Sequence, residues 1–273
     1  MKRLLSAKAL IGATLVVGMF LTAIVAPLVI PADLATRMTM TARLRPPSAL
    51  HWLGTDQLGR DLLYRVMLGA RTSLSIASAA VLMSLVFGLP IGMISGFYRG
   101  RIDNALMRLV DTLLSFPVLL LALTISAMLG PSVPIAIVAI GVAFTPFLAR
   151  IVRGEALRVT QMPYVEAARA AGTNDLQLIL RHVLPNVMPP IIVQATISLA
   201  FAVLAEAGLS FLGLGTQPPQ SSWGLMIQAS RDYLDVAPWT GLVPGAAVAL
   251  TVLGLNMSGD VLRDVLDPRN DLR

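Results

Sequence analysis

YVEAARAAGTNDLQLILRHVLP, residues 164–185, is a polar interruption in a chain built otherwise from long apolar runs. Pro163 precedes it, a residue suited to the first turn of a helix, where its missing N–H costs nothing. Ala167, Ala168, Ala170 and Ala171 favour helix and add almost no bulk, so this backbone can approach another surface closely. Gly172 predicts a stop, because glycine enters the left-handed region without a Cβ penalty. Thr173 or Asn174 can cap a second helix. Its apolar face is expected to carry Leu176, Ile179, Leu180 and Val183, with Pro185 ending it. The expectation is helix, sharp turn, helix: a projecting knob. Spacing alone leaves a plain surface hairpin open.

Composition says what the knob projects from. Of 273 residues, 56% are hydrophobic and 13% charged. Soluble globular chains carry about 25% charged residues, so this chain has too few to clothe a water-soluble fold and reads as an integral membrane protein. There is no cysteine, which excludes disulfides, thiolate metal sites and a cysteine nucleophile. The net charge of +6 comes from arginines scattered between apolar runs. That pattern fits topology determinants rather than a nucleic-acid surface.

A span needs roughly 20 mostly apolar residues. Six candidates occur, at about 8–30, 73–97, 109–129, 132–149, 187–212 and 241–258. Gly130-Pro131 predicts a tight turn between the third and fourth. The first run is longer than the core of a secretory signal and lacks a clear cleavage site, so it is read as a retained span. With the N-terminus in the cytoplasm, 14 of the 21 Lys and Arg residues fall on the inner side, from Lys2, Arg3 and Lys8 to Arg263, Arg269 and Arg273. This bias puts both termini inside, with residues 150–186 as the largest inner loop. The first outer loop, 31–72, is the exception, with six arginines against Asp33, Asp56 and Asp61. Its second half, TDQLGRDLLYRVMLGARTSL, reads as an amphipathic helix lying along the membrane surface.

The residues of the knob resemble a known signature. Glu166-Ala167-Ala168, Gly172 and Leu184-Pro185 match the E-A-A…G…L-P pattern of permease subunits of bacterial ATP-driven (ABC) importers; His182 departs from it, at a position the pattern makes hydrophobic. HWLGTDQLGRDLLYRVMLGARTSL (51–74), GLSFLGLG (208–215), SSWGLMI (221–227) and LNMSGDVLRDVLDPR (255–269) resemble the second, C-type permease of the dipeptide, oligopeptide and nickel branch. The resemblance implies an all-α membrane protein with six transmembrane helices. Residues 1–72 would form an N-terminal helix and external loop, and 73–273 a type I, MetI-like permease core. It implies a bacterial inner-membrane location, a homologous permease as heterodimer partner, two cytoplasmic ATP-binding subunits and an extracytoplasmic substrate-binding protein. Tyr164, Glu166, Ala167, Ala168, Ala171, Gly172, Leu184 and Pro185 would couple to the ATPase. The implied substrate is a di- or oligopeptide, with nickel or glutathione as alternatives. A stand-alone secondary transporter would leave the knob without a task.

What is missing agrees with a non-catalytic subunit. The only lysines are Lys2 and Lys8, both before the first span, so no P-loop lysine can exist and ATP must be hydrolysed by another chain. His51 and His182 are the only histidines, and neither lies in a span. No metal site, cofactor site or nucleophile–base–orienter set emerges. Within the spans, Asp111 is expected to pair with Arg108, three residues before it. Glu206 is the other acid at membrane depth. Such a group is a functional candidate, lining the substrate path or the partner permease, or hydrogen-bonded at the wet outer end of the fifth span.

Overall fold

The computed structural model describes residues 7–31, 34 and 36–266. Lys2, Arg3, Asp33, Arg269, Arg273 and the last residues of the 255–269 motif lie outside the described residues. Five helices are long and apolar enough to cross a membrane: α1 (Ala7–Val29), α2 (Leu62–Tyr98), α5 (Val133–Val159), α7 (Asp175–Phe211) and α9 (Trp239–Leu266). Between α2 and α5 stand α3 (Gly100–Leu114) and α4 (Val118–Leu129), bent by 85° to each other. Two further short helices are α6 (Pro163–Ala170) and α8 (Trp223–Ser230).

The expected third span, 109–129, is therefore not one straight helix. Ser115, Phe116 and Pro117 interrupt it, and Pro117 lacks the N–H that would carry the ladder through. α4 has 12 residues, about 18 Å of rise, little more than half a bilayer core. The pair still makes one passage. α2 and α5 run parallel, with Gly88 against Thr145 and Leu148, and Gly96 against Arg153 and Ala156. The chain must return between them. α1 and α9 run antiparallel, Gly12 on Met257 and Gly254 on Leu15. The ends at Ala7 and Leu266 thus lie at the same end of the bundle as α6.

The α2–α5 contact is the closest in the fold, and its cause is legible. Gly88, Gly92 and Gly96 repeat every four residues and form one bare ridge. A Cβ at Gly92 would lie 2.6 Å from Val152 Cβ and closer still to the Ala149 carbonyl. Small residues let membrane helices approach to backbone contact, and here they are spent inside one chain. Large apolar residues such as Leu28, Leu82, Phe87, Phe201 and Leu253 point outward along the long helices, as lipid-facing positions require.

The outer-loop expectation is corrected. α2 starts at Leu62, eleven residues before the expected span, so the helical half of the loop is the first three turns of a membrane helix and not a separate surface helix. Residues before it form a packed turn. Gly54 and Gly59 sit at φ +81° and +70°, and a Cβ on Gly54 would strike Trp239 at 2.8 Å. The Asp56 carboxylate accepts from the Leu58 and Arg60 amides (both 2.9 Å) and from Arg60 Nε at 2.6 Å. Asp61 caps α2 through the Leu63 amide at 2.9 Å and holds His51 Nδ1 at 2.8 Å. The motif 51–61 is a folded cap built from carboxylate-to-amide bonds.

Candidate coupling site

α6 and its turn obey local rules closely. Gly172 lies at φ +86°. Its N–H donates to Arg169 O at 3.0 Å, and Thr173 N–H donates to Ala168 O at 3.2 Å. These two bonds define a Schellman ending. Asn174 then caps the next helix, its Oδ1 accepting from Gln177 N at 2.9 Å.

The second helix departs from expectation. It does not end at Pro185. Leu178–Val183 is wound as a π-helix, and the chain runs on through Leu184 and Pro185 into the rest of α7. The wider turn accommodates a proline that would clash in a strict α-helix. The carbonyl of His182, four residues before Asn186, is taken by Asn186 Nδ2 at 2.7 Å. The π turn also rotates the faces. Leu178 and Val183 are fully buried, whereas Leu176 and Leu180 are 66% and 52% exposed.

The knob is seated on the bundle by one apolar cluster. Val165 of α6 joins Leu178, Val183, Val187 and Ile191 of α7, Val152, Ala156 and Val159 of α5, and Met93 and Phe97 of α2. Each fully buried side chain of this size contributes about 1.5–3 kcal/mol. Ala168 and Leu184 pack partly against the same cluster. Arg169 does not pair with Glu166; its guanidinium lies over the Phe97 ring, 5.5 Å from the centroid. The expected residues therefore divide into two sets. Tyr164, Glu166, Ala167, Ala171, Gly172 and Pro185 are exposed, while Ala168 and Leu184 face the chain's own interior. Val165 and Leu178 are additions. Their apolar character was visible in the sequence, but α-helical phasing assigned the face elsewhere. His182 is half-buried. Beside the knob a cleft of about 650 Å³ opens between α5, α7 and α9, lined by Glu155, Arg158, Asn186, Gln194 and Arg263 among others.

Of the two intramembrane acids, Asp111 is placed differently from expectation. Asp111 pairs with Arg150 of α5, not with Arg108. Glu206 is 0% exposed. It lies 28 residues beyond Leu178, about 42 Å along the helix axis, at the end away from α6. Ser210 Oγ donates to its Oε1 at 2.7 Å and accepts from Thr216 N at 3.0 Å. The hydroxyls of Ser73, Ser222 and Thr216 also surround the carboxyl. Ser73 Oγ in turn accepts from Trp223 N at 3.1 Å, and Trp223 Nε1 donates to Val66 O at 3.0 Å. Glu206 is thus the centre of a polar joint between α2, α7 and α8.

A half-length α4, a helix–turn–helix knob seated at one end and a six-passage bundle define a class. The chain belongs to the family described as binding-protein-dependent transport system inner membrane component, which matches residues 88–271. Among solved structures, the MetNI methionine ABC transporter in inward-facing conformations superimposes with a TM-score of 0.63 at 20% identity, over 76% of this chain and 98% of that one; the shared feature is the MetI-like permease fold.

Closer relatives carry names. The dipeptide transport system permease protein DppC of Alkalihalophilus pseudofirmus is 43% identical over 96% of this chain and 86% of its own. The probable D,D-dipeptide transport system permease protein DdpC of Escherichia coli is 42% identical over 94% and 86%. The glutathione transport system permease protein GsiD of Pectobacterium atrosepticum is 40% identical over 82% and 74%.

Proposed function

We propose that this chain is the C-type permease subunit of an ATP-driven importer for di- or oligopeptides, with α6 as the handle that a cytoplasmic ATPase grips. One observation carries the handle reading. A short helix is held rigidly from below by Val165 and presents Tyr164, Glu166, Ala167 and Ala171 outward, beside exposed Leu176 and Leu180. Leu176 and Leu180, about one helical turn apart, offer apolar surface to a docking partner. Small alanines beside them allow close approach.

The rest of the assembly follows from this reading. The α6 end faces the cytoplasm, so both termini do as well. A homologous permease completes the pathway, two ATP-binding subunits supply the energy, and an external binding protein selects the substrate. Relatives named for dipeptides support the substrate class. Glutathione is the second substrate reading, favoured by relatives named for it; it is itself a peptide and needs no different architecture.

The chain is naturally free of cysteine, so single cysteines test the orientation cleanly. Asn174→Cys and Asn104→Cys should react with impermeant maleimide only from the cytoplasmic side, and Gln220→Cys only from outside. Labelling of Asn174→Cys from outside intact cells would rule out the handle. Mass spectrometry of the ligand retained by the binding protein then separates dipeptide from glutathione.

A further inference from the structure

Several contacts converge where α2, α3 and α5 meet. Asp103, 7% exposed, receives Arg153 Nε on Oδ1 and Arg153 Nη2 on Oδ2, both at 2.6 Å. The same Oδ1 accepts from Ser95 Oγ. One carboxylate therefore joins α2 through Ser95, α3 through itself and α5 through Arg153. Beside it, Arg99 links α2 to α3 at φ +54°, a conformation that a side chain of this size holds only where the surroundings enforce it. Arg99 Nη2 donates to Thr160 Oγ1 at 3.1 Å, and Thr160 caps α5 three residues before α6 begins. Eight residues further along α3, Asp111 is paired with Arg150 of α5.

A bidentate guanidinium–carboxylate pair fixes an angle as well as a distance. With a second pair two turns away, α3 is held to α5 in direction and not only in position. α2 and α5 are themselves locked by the Gly88, Gly92 and Gly96 ridge. α3 ends in the 85° elbow, and beyond the elbow stands α4. α4 meets α7 lightly at its start: a Cβ built on Gly208 of α7 would meet only Leu119 Cδ2, at 4.0 Å, an ordinary van der Waals contact. A rigid arm leads to that contact.

Resting on the reading of α6 as the ATPase handle, we propose that Asp103 is a positioning residue that welds α3 to the α2–α5 unit, so that α3 and α4 act as a crank converting movement of α6 into movement of α4 against α7. The exposed residues of α6 receive the force; Asp103 delivers it to the middle of the bundle.

The test uses the full transporter in membranes, carrying Leu119→Cys and Gly208→Cys. Disulfide formation between them is followed without nucleotide and with ATP and vanadate. The expected result is a yield that changes between the two states. In the Asp103→Asn background the ATPase should still co-purify, the yield should no longer respond to nucleotide, and peptide imported per ATP hydrolysed should fall about tenfold, within the range of ordinary coupling free energies. Exchanging the pair, Asp103→Arg with Arg153→Asp, should restore part of the response. If Asp103→Asn does not assemble, Arg153→Lys, which keeps the charge and loses the fork, should give the same uncoupling. Asp103→Asn or Arg153→Lys complexes that respond and import like the parent would overturn the weld. A parental pair indifferent to nucleotide would overturn the crank while leaving the handle standing, whereas failure of the ATPase to bind even the parent would remove the handle itself.

Discussion

Arg169 of α6 lies over the ring of Phe97, the penultimate residue of α2, with its guanidinium carbon 5.5 Å from the ring centroid. This contact clamps the knob to the first long helix of the core. Exposed cation–π contacts are worth about 0.5–1 kcal/mol. Arg169→Ala should therefore loosen α6 without unfolding it, lowering substrate-stimulated ATP hydrolysis about two- to fivefold, while Arg169→Lys should retain most of it. Equal loss in both variants would mean that the guanidinium acts on the partner and not on Phe97.

Gly172 ends α6 at φ +86°, and a Cβ there meets nothing within 4 Å. The penalty for substitution is therefore conformational and not steric. Gly172→Val should cost about 1–3 kcal/mol of local strain, tilt the knob and reduce stimulation, with the permease pair intact. Gly172→Asn should be much milder, because asparagine tolerates the left-handed region. Both are read by reconstituted ATPase assay beside co-purification. Ala168 behaves differently from its neighbours: Ala168→Asp should unseat α6 from its own cluster, whereas Ala167→Asp and Ala171→Asp should leave the knob folded and repel the partner.

Gly92 sits where α2 touches the Ala149 carbonyl and Val152. Gly92→Leu forces the helices apart at the centre of the bundle, and overpacking of this kind costs about 1–3 kcal/mol or more. Its thermal midpoint in detergent should fall clearly below the parent's. Gly154 on α5 meets nothing within 4 Å, so Gly154→Ala should be neutral or gain up to about 1 kcal/mol from helix propensity.

Glu206 joins three helices through hydroxyl groups. Glu206→Leu would strip Ser210 of its acceptor and leave buried hydroxyls unmatched, at about 1–3 kcal/mol. Glu206→Gln keeps an acceptor and should remain near the parent in both stability and transport. Loss of transport in Glu206→Gln with unchanged thermal stability would show that the charge is used, as expected of a group in the substrate path.

Much of this was legible because local chemistry and tertiary packing agree. Five of six passages, the Gly130-Pro131 turn, the Gly172 stop and the Asn174 cap follow from residues acting on their own backbone. The departures have a common physical origin in contacts between distant segments. Pro117 splits a hydrophobic run that hydropathy alone reads as continuous. The π turn at Leu178–Val183 shifts the buried face by a residue, which a 3.6 period cannot anticipate. Asp111 chooses Arg150 over Arg108 because α5 lies against α3. The arginine-rich 55–74 stretch has helical periodicity only from Leu62 onward; before it, Gly54, Gly59 and the Asp56 carboxylate favour turns, and Trp239, far away in sequence, completes them. The Glu206 joint takes Ser210 from the next turn of its own helix, but Thr216, Ser222 and above all Ser73 come from other segments, which a reading of that helix alone does not reach.

If an ATPase grips α6 and the turn after it, two neighbouring positions must respond to its presence differently. Leu176 is 66% exposed and Leu178 is fully buried. With a short bismaleimide applied to assembled transporter bearing one cysteine on the ATPase cleft, Leu176→Cys should cross-link to the ATPase subunit and Leu178→Cys should not, and Ala171→Cys should behave like Leu176→Cys. Absence of cross-linking at both Leu176→Cys and Ala171→Cys, in complexes where the ATPase demonstrably co-purifies, would place the grip elsewhere on the chain and leave α6 without a coupling role.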